Sequence, residues 1–376
     1  MPSETGTAKQ RLVILAEGSL DPHDGKTAFG VLRYGDRPVV AVIDSTRAPG
    51  RMGDVRRIPG REDVPIVASV DEALALPEPP EALLIGIAPT GGRLPDAWRR
   101  TLLRSIEARL DIISGLHTFL SDDPELAAAA AAAGVTIEDV RRPTGPKITA
   151  VGRTHLPGRK VLLAVGTDCA IGKMSVMLEL RDAARRAGDS AAFVATGQTG
   201  IMIEGWGAPI DAVVSDFVNG TTEAIVARAE EDAEYVLVEG QGSLDHPAYS
   251  AVTLGLIHGA TPHAMVMCHK PGLEEHDFTH LPDRSFPIAS LPGFIDLHER
   301  IAGMIAPSTV VALALNTSLY RDDDEARAII DALSRETGLP ADDPVRFGPD
   351  RLWAAIRDRV DALVPEGLPE DQPSQR

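Results

Sequence analysis

Short apolar runs punctuated by glycine, proline or aspartate recur along the chain and alternate with stretches whose apolar positions return every three or four residues. In the first half RLVILAEG, PVVAVID, EALLIGIAP and the run leading to DIISGLH have the brevity and β-branched content of buried strands. Between them DAWRRTLLRSIEARL sets Trp98, Leu102, Leu103, Ile106 and Leu110 on one helical face. Asp123 and Pro124 offer a cap and a first-turn proline to an alanine-rich helix that Gly134 ends. The alternation resumes with KVLLAVG, SAAFVATG, EYVLVEG, AMVMCHK, VVALALN and PVRFG as strands, and DRLWAAIRDRVDALV as the last helix. Repeated strand-helix alternation predicts parallel sheets flanked by helices, an α/β fold.

Residues 141–160, RRPTGPKITAVGRTHLPGRK, interrupt both periods with proline, glycine and cations, and place the boundary there. Two α/β domains are expected, over 11–150 and 151–365, with 1–10 and 366–376 as polar disordered tails. A length of 376 residues, 44% of them hydrophobic and 24% charged, suits two globular cores. The formal charge of −18 disfavours a nucleic-acid backbone or an anionic membrane as partner and leaves small molecules. Two cysteines, Cys169 and Cys268, make no disulfide framework. With no signal-like apolar core in MPSETGTAKQ and no apolar run of about 18 residues, a cytoplasmic protein is expected, and the parallel sheets suit a homo-oligomer.

The chemistry concentrates in AVGTDCAIGKMSVMLEL, residues 164–180. A strand ending at Gly166, the loop TDCAI, then Gly172, Lys173 and an amphipathic helix give the context of a phosphate loop. Its amides and the helix N-terminus are suited to an anion, to which Lys173 adds a full charge. Two positions depart from the pattern: Thr167 stands where the first glycine belongs, and Met174 where a nucleotide hydrolase has the magnesium-binding hydroxyl. Ser175 is about 100° further around the helix and does not replace it.

GTDCAIGKM resembles the loop of dethiobiotin synthetase and its P-loop relatives, and EYVLVEGQGS resembles their acidic strand end. A fuller resemblance runs through both halves. GKTAFGVLRYG, VVAVIDST, IGIAPTGGRLP, DIISGLHTFLSDDPEL, GTDCAIGKMS, DFVNGTTE, VEGQGSLDHPAYSAVTLGLIHG and ALALNTS, in this order, are similar to the DgcN-type D-glutamate N-acetyltransferase family. The resemblance implies a Rossmann-like N-terminal domain, a P-loop C-terminal domain, and acetyl transfer from acetyl-CoA to the amino group of D-glutamate or a related amino acid. Gly166, Thr167, Asp168, Cys169, Ala170, Gly172, Lys173, Met174 and Ser175 would then hold CoA phosphates. CoA needs an anion cradle but no metal-assisted phosphoryl transfer, so no metal is expected. The competing enzyme reading is a ligase or carboxylase using magnesium-ATP, with Asp168 or Glu239 as metal ligand. A third is a nucleotide-binding assembly protein, which needs a DNA or membrane surface that the charge does not favour.

Acetyl transfer needs a base, oxyanion donors and cations for an acidic acceptor. Glu239, at the end of EYVLVE, is the leading base because strand carboxyl ends line the crevice of open α/β sheets, unless it only orders the glycine-rich turn. His246 is the second, unless it caps a loop, and Asp168 is placed to orient Lys173 or the ammonium. Oxyanion donors are sought in the amides of Gly240, Gln241 and Ser243, or in Asn219. Arg33, Arg47, Arg142 and Lys270 are unranked as carboxylate partners. Cys169 is read as a small loop residue rather than an acyl carrier, and His263, His269, His276 and His280 as loop and core histidines rather than a metal centre. GIAPTGGRLP and His117 suit a ligand loop and a strand end, or an interface.

Overall fold

The computed structural model describes residues 9–20, 25–87, 95–276 and 284–364. The middle of GIAPTGGRLP, His280 and most of both tails lie outside them. The chain forms two compact units: residues up to 144 together with 198–212, and residues 145–197 together with those from 213 onward.

The first unit is built on seven strands, β1 (Leu12–Leu15), β2 (Val39–Ile43), β3 (Gly50–Arg51), β4 (Pro65–Val67), β5 (Ala82–Ile85), β6 (Asp111–Ser114) and β7 (Ile137–Asp139). Their order is β3-β4-β2-β1-β5-β6-β7, parallel throughout except β3 against β4. β1 and β5 are buried along their length, as continuous apolar runs covered on both faces must be. The helix Pro124–Ala133 starts on Asp123, whose side chain accepts from the amides of Glu125 and Leu126, and stops at Gly134 with φ 70°. In Arg99–Glu107 the inward face differs from the expected one by one residue. Leu103 is half-buried and Ser105 is buried in its stead, its hydroxyl satisfied by the Thr101 carbonyl at 2.8 Å. The segment 198–212 is tied into this unit by Thr27 Oγ1 and Thr199 Oγ1 at 2.9 Å, and by Arg141 donating to Asp211 at 2.6 Å.

The second unit holds β8 (Lys160–Gly166), β9 (Ala191–Val194), β10 (Tyr235–Val238), β11 (Ala264–His269), β12 (Thr309–Leu315) and β13 (Ala341–Asp342) in the order β13-β12-β11-β8-β10-β9. Every pair is parallel. From β8 the chain passes outward to β9, returns to β10 beside β8, and then crosses to β11 on its other side. The carboxyl ends of β8, β10 and β11 therefore meet at the reversal of strand order, where open α/β sheets bind ligands. PVRFG is a turn, not a strand: Asp343 accepts from the amides of Val345 and Arg346 and bends the chain there, and the edge strand is the two residues before it. Among the described residues no helix is long and apolar enough to cross a membrane.

Candidate active site

The phosphate-binding loop lies between β8 and the helix Lys173–Ala187. Thr167, at the unexpected position, fastens the loop to β11: its amide donates to the Cys268 carbonyl at 3.1 Å, and its hydroxyl lies 2.9 Å from His269 Nδ1. Burial holds His269 down to about 4, which keeps that ring neutral. Ala170 and Gly172 adopt positive φ of 52° and 114°, a backbone in which loop amides can turn toward an anion. Asn316 Nδ2, beyond β12, donates to the Ile171 carbonyl at 3.0 Å and holds the loop from its far edge.

Lys173 is buried and its ammonium curls back to donate to the Asp168 carbonyl at 2.6 Å. Burial pushes its pKa below the ordinary value, against the opposing pull of Cys169, Cys268, Asp168 and Glu239. An anion in the loop would relieve that penalty. Met174 and Ser175 are half-buried on the first turn, and no hydroxyl occupies position 174. Cys169 is half-buried, whereas the thiol of Cys268 is pushed up to about 12 by burial.

Glu239 follows β10 directly. Its Oε2 accepts from the amides of Thr196 and Gly197 at 2.8 and 3.0 Å, and its carbonyl accepts from Thr196 Oγ1. Gln241 Nε2 reaches the Thr196 carbonyl at 2.7 Å, so two side chains clamp the turn that ends β9. Ser243, fully buried, donates to Asp245 Oδ1 at 2.9 Å. His246 is also buried, with its Nδ1 accepting the Ala248 amide at 3.1 Å and its Nε2 3.9 Å from Asp168 Oδ1. Asp168 Oδ1 accepts from the Cys169 amide at 2.7 Å and pairs with His276 Nδ1 at 2.9 Å.

The loop, Glu239, Gly240, Gln241, Ser243 and His246 thus occupy one end of one sheet. Asn219 lies in the first turn of the helix Val218–Asp232, against Gly255 and Gly259 of the helix Ser250–Ala260. Of the four cations, Arg33, Arg47 and Arg142 belong to the first unit, and Arg142 donates to Asp122 at 2.6 Å over the Phe119 ring. Lys270 alone belongs to the unit that holds the loop, directly after β11. His117, also in the first unit, lies beyond β6 with its Nδ1 3.2 Å from Arg141.

Asp168, His246 and His276 offer three ligand atoms within 4.8 Å of one another, all on buried residues. Their hydrogens do not suit an ion. With Nδ1 of His246 accepting an amide, the neutral ring carries its hydrogen on Nε2, the nitrogen that faces Asp168, and a protonated nitrogen is no ligand. Asp168 and His276 are hydrogen-bonded, and His246 lies against both without a hydrogen bond of that length.

Over residues 148–353 the chain matches the P-loop domain of the family of unknown function DUF1611, and over residues 50–143 its Rossmann-like N-terminal domain. The chain belongs to the DUF1611 family. A Rossmann-like domain followed by a P-loop domain is therefore the architecture, as the family resemblance implied and in keeping with the α/β alternation. A relative from Tritonibacter scottomollicae, named D-glutamate N-acetyltransferase, is 38% identical over 280 residues, 73% of this chain and 81% of its own. A second of that name, from a Pseudoalteromonas species, is 37% identical over 277 residues, 73% of this chain and 81% of its own. A DUF1611 crystal structure from Anabaena variabilis shares 40% identity with a TM-score of 0.85, over 93% of this chain and 100% of that one.

Three members of the DUF1611 site went unnoticed in the sequence, Thr196, Asp245 and Asn316, and a fourth, His276, was read as a loop or core histidine. Thr196 and Asn316 stand just beyond the apolar runs of β9 and β12, so the rule that selected Glu239 could have selected them. Asp245 and His276 each lie several residues past the ends of β10 and β11, where the course of the chain depends on tertiary contacts rather than on a local period.

Proposed function

We propose that this DUF1611 protein transfers the acetyl group of acetyl-CoA to the amino group of D-glutamate or a closely related amino acid, with the loop Gly166–Ser175 holding CoA phosphates. Kinship with two relatives named for such a transfer makes the chain an acyltransferase. The observation that carries our choice of donor is the loop itself: positive φ at Ala170 and Gly172 and a buried Lys173 serve an anion, while Met174 takes the place of the magnesium-binding hydroxyl. A CoA pyrophosphate needs the first and not the second.

Within this reading Glu239 anchors the β9 turn, since one of its oxygens already accepts two amides. His246 is assigned to the oxyanion. Burial lowers its pKa, with Asp168 opposing and His276 adding to the shift, and a neutral ring with hydrogen on Nε2 is a donor for developing negative charge. Amides of Gly240, Gln241 and Ser243 are further donors, and Lys270 is the first cation to test for an acceptor carboxylate. Asn219 is the weakest of our substrate assignments. The formal charge of −18 supports an enzyme of small molecules without nucleic acid or membrane, and we place it in the cytoplasm as a homo-oligomer.

Calorimetric titration with CoA, and separately with magnesium-ATP, tests the donor. Binding of CoA should need no metal and should weaken by at least tenfold in Lys173→Ala. Preference for magnesium-ATP would hand the loop to the ligase reading. Release of free thiol from acetyl-CoA with D-glutamate, and little with the L enantiomer, tests the acceptor.

A further inference from the structure

The acetyl-transfer reading leaves a base to be found, and His276 has the bonding of one. Its backbone is fixed by an amide that donates to the Phe286 carbonyl at 2.9 Å, beside the Glu275–Pro287 bridge. Its side chain is buried. Nδ1 lies 2.9 Å from Asp168 Oδ1, and since a carboxylate only accepts, the ring hydrogen is on Nδ1. That leaves the lone pair on Nε2, which is buried and has no hydrogen-bond partner among the described residues. Asp245 Oδ1 stands 3.0 Å away without the alignment of a bond.

A lone pair facing a carboxylate oxygen is repelled by it; a proton on Nε2 turns that repulsion into attraction. Asp168 orients the ring and Asp245 faces its second nitrogen, the arrangement of a carboxylate-held general base. The neighbouring groups are otherwise committed. His246, edge-on to His276 at 5.0 Å between ring centres, presents a hydrogen from Nε2. Asp168 Oδ1 already accepts two donors, and Glu239 Oε2 two amides. His298 Nε2 is also unpartnered among the described residues, but its Nδ1 pairs with the Phe294 carbonyl rather than with a carboxylate. The remaining charge of the site, Lys173, sits on the Asp168 carbonyl.

We propose that His276 is the general base of the transfer, oriented by Asp168, and that Asp245, whose side chain is 24% exposed, binds the acceptor ammonium beside it. This rests on the acetyl-transfer reading. The ammonium carries three hydrogens and the amide keeps one. The first leaves to Nε2 and frees the nitrogen pair to form the N–C bond, while the thioester π pair moves to oxygen. On collapse the C–S bond breaks, the nitrogen gives up its second hydrogen, and the departing thiolate takes up one to become the thiol. The proton on Nε2 then returns to solvent.

The test compares wild type with His276→Gln in the thiol-release assay across pH, with CoA titration as a check on the loop. The wild-type rate should fall at acid pH. His276→Gln should bind CoA as before and lose on the order of 10²–10⁴-fold in kcat, with a rate that climbs with pH as the free amine becomes available. Unchanged kcat and an unchanged acid limb in that variant would overturn the assignment, whereas a wild type that binds CoA but acetylates no amine would overturn the acetyl-transfer reading on which it stands. Nitrogen-15 spectra of the wild-type imidazoles give a readout that needs neither variant nor activity. They should show hydrogen on Nδ1 of neutral His276, and hydrogen on Nε2 would sink the proposal. So would one equivalent of zinc or manganese retained on dialysis by the wild type and lost from His276→Gln, because the ion would then own this ring.

Discussion

Gly240 has no room for a side chain: a Cβ there would lie 1.8 Å from the Ala164 carbonyl oxygen of β8 and 3.1 Å from Lys173 Cδ. The closer contact is with backbone, so the turn must move away from β8, and the lysine stem that packs against it must move too. Gly240→Ala should therefore cost about 1–3 kcal/mol in overpacking, read as a lower urea midpoint, and weaken CoA binding along with it. A stable variant with full affinity would show that the close approach of Gly240 to β8 does not position Lys173. VEGQG drew attention to Gly240 for its amide. The distance to β8 was not legible there, because a sequence records which residue is small and not what it touches. Lys173 and Met174 were legible, since spacing alone defines their places in the loop.

At the scale of elements, buried strands and capped helices were readable because burial on both faces leaves a continuous apolar run. Segments held by polar bonds were not. Residues 148–156, which read as a connection without a period, are strapped along the helix Val218–Asp232. Glu223 accepts the amides of Val151 and Arg153 at 3.2 and 3.0 Å, and Gly220 admits the Ile148 backbone, whose carbonyl oxygen a Cβ would meet at 2.1 Å. His155 closes the strap, with Nδ1 on Glu230 and Nε2 2.9 Å from the Thr261 carbonyl. Burial opposes its charge, but the Glu230 and Thr261 bonds prevail and raise its pKa above the ordinary 6.5. The stability it gives is therefore complete below 6.5 and is lost as pH rises through the raised value. His263 beside it, held down to about 4 by burial and by His155, works in the other direction: it favours the fold above 6.5 and costs stability as pH falls toward 4. His155→Gln should accordingly lower the urea midpoint more at pH 6 than at pH 9. An equal loss at both would mean that His155 is neutral in the folded protein.

Over the whole molecule, the chain's path between its two units is the least legible feature. GQTGIMIEGWGAPIDA follows β9 as any connecting helix would, yet 198–212 belongs to the first unit, while Thr196 and Gly197 immediately before it hold Glu239 in the second. Its anchor, Arg141 on Asp211, joins residues 70 apart, and no local pattern encodes a partner at that distance. Arg141 also donates to Gln198 at 3.3 Å, so one buried guanidinium grips both ends of the segment. Asp211→Asn would leave that cation buried without its carboxylate, at a cost of about 1–3 kcal/mol. The cost should fall locally, since β8 to β13 share no bond with this pair. Amide hydrogen exchange should then quicken across 198–212 while the second sheet keeps its protection. Uniform acceleration in both units would show that the segment unfolds only with the entire protein. No change at all would show that packing against the helix Lys26–Tyr34 holds it without the ion pair.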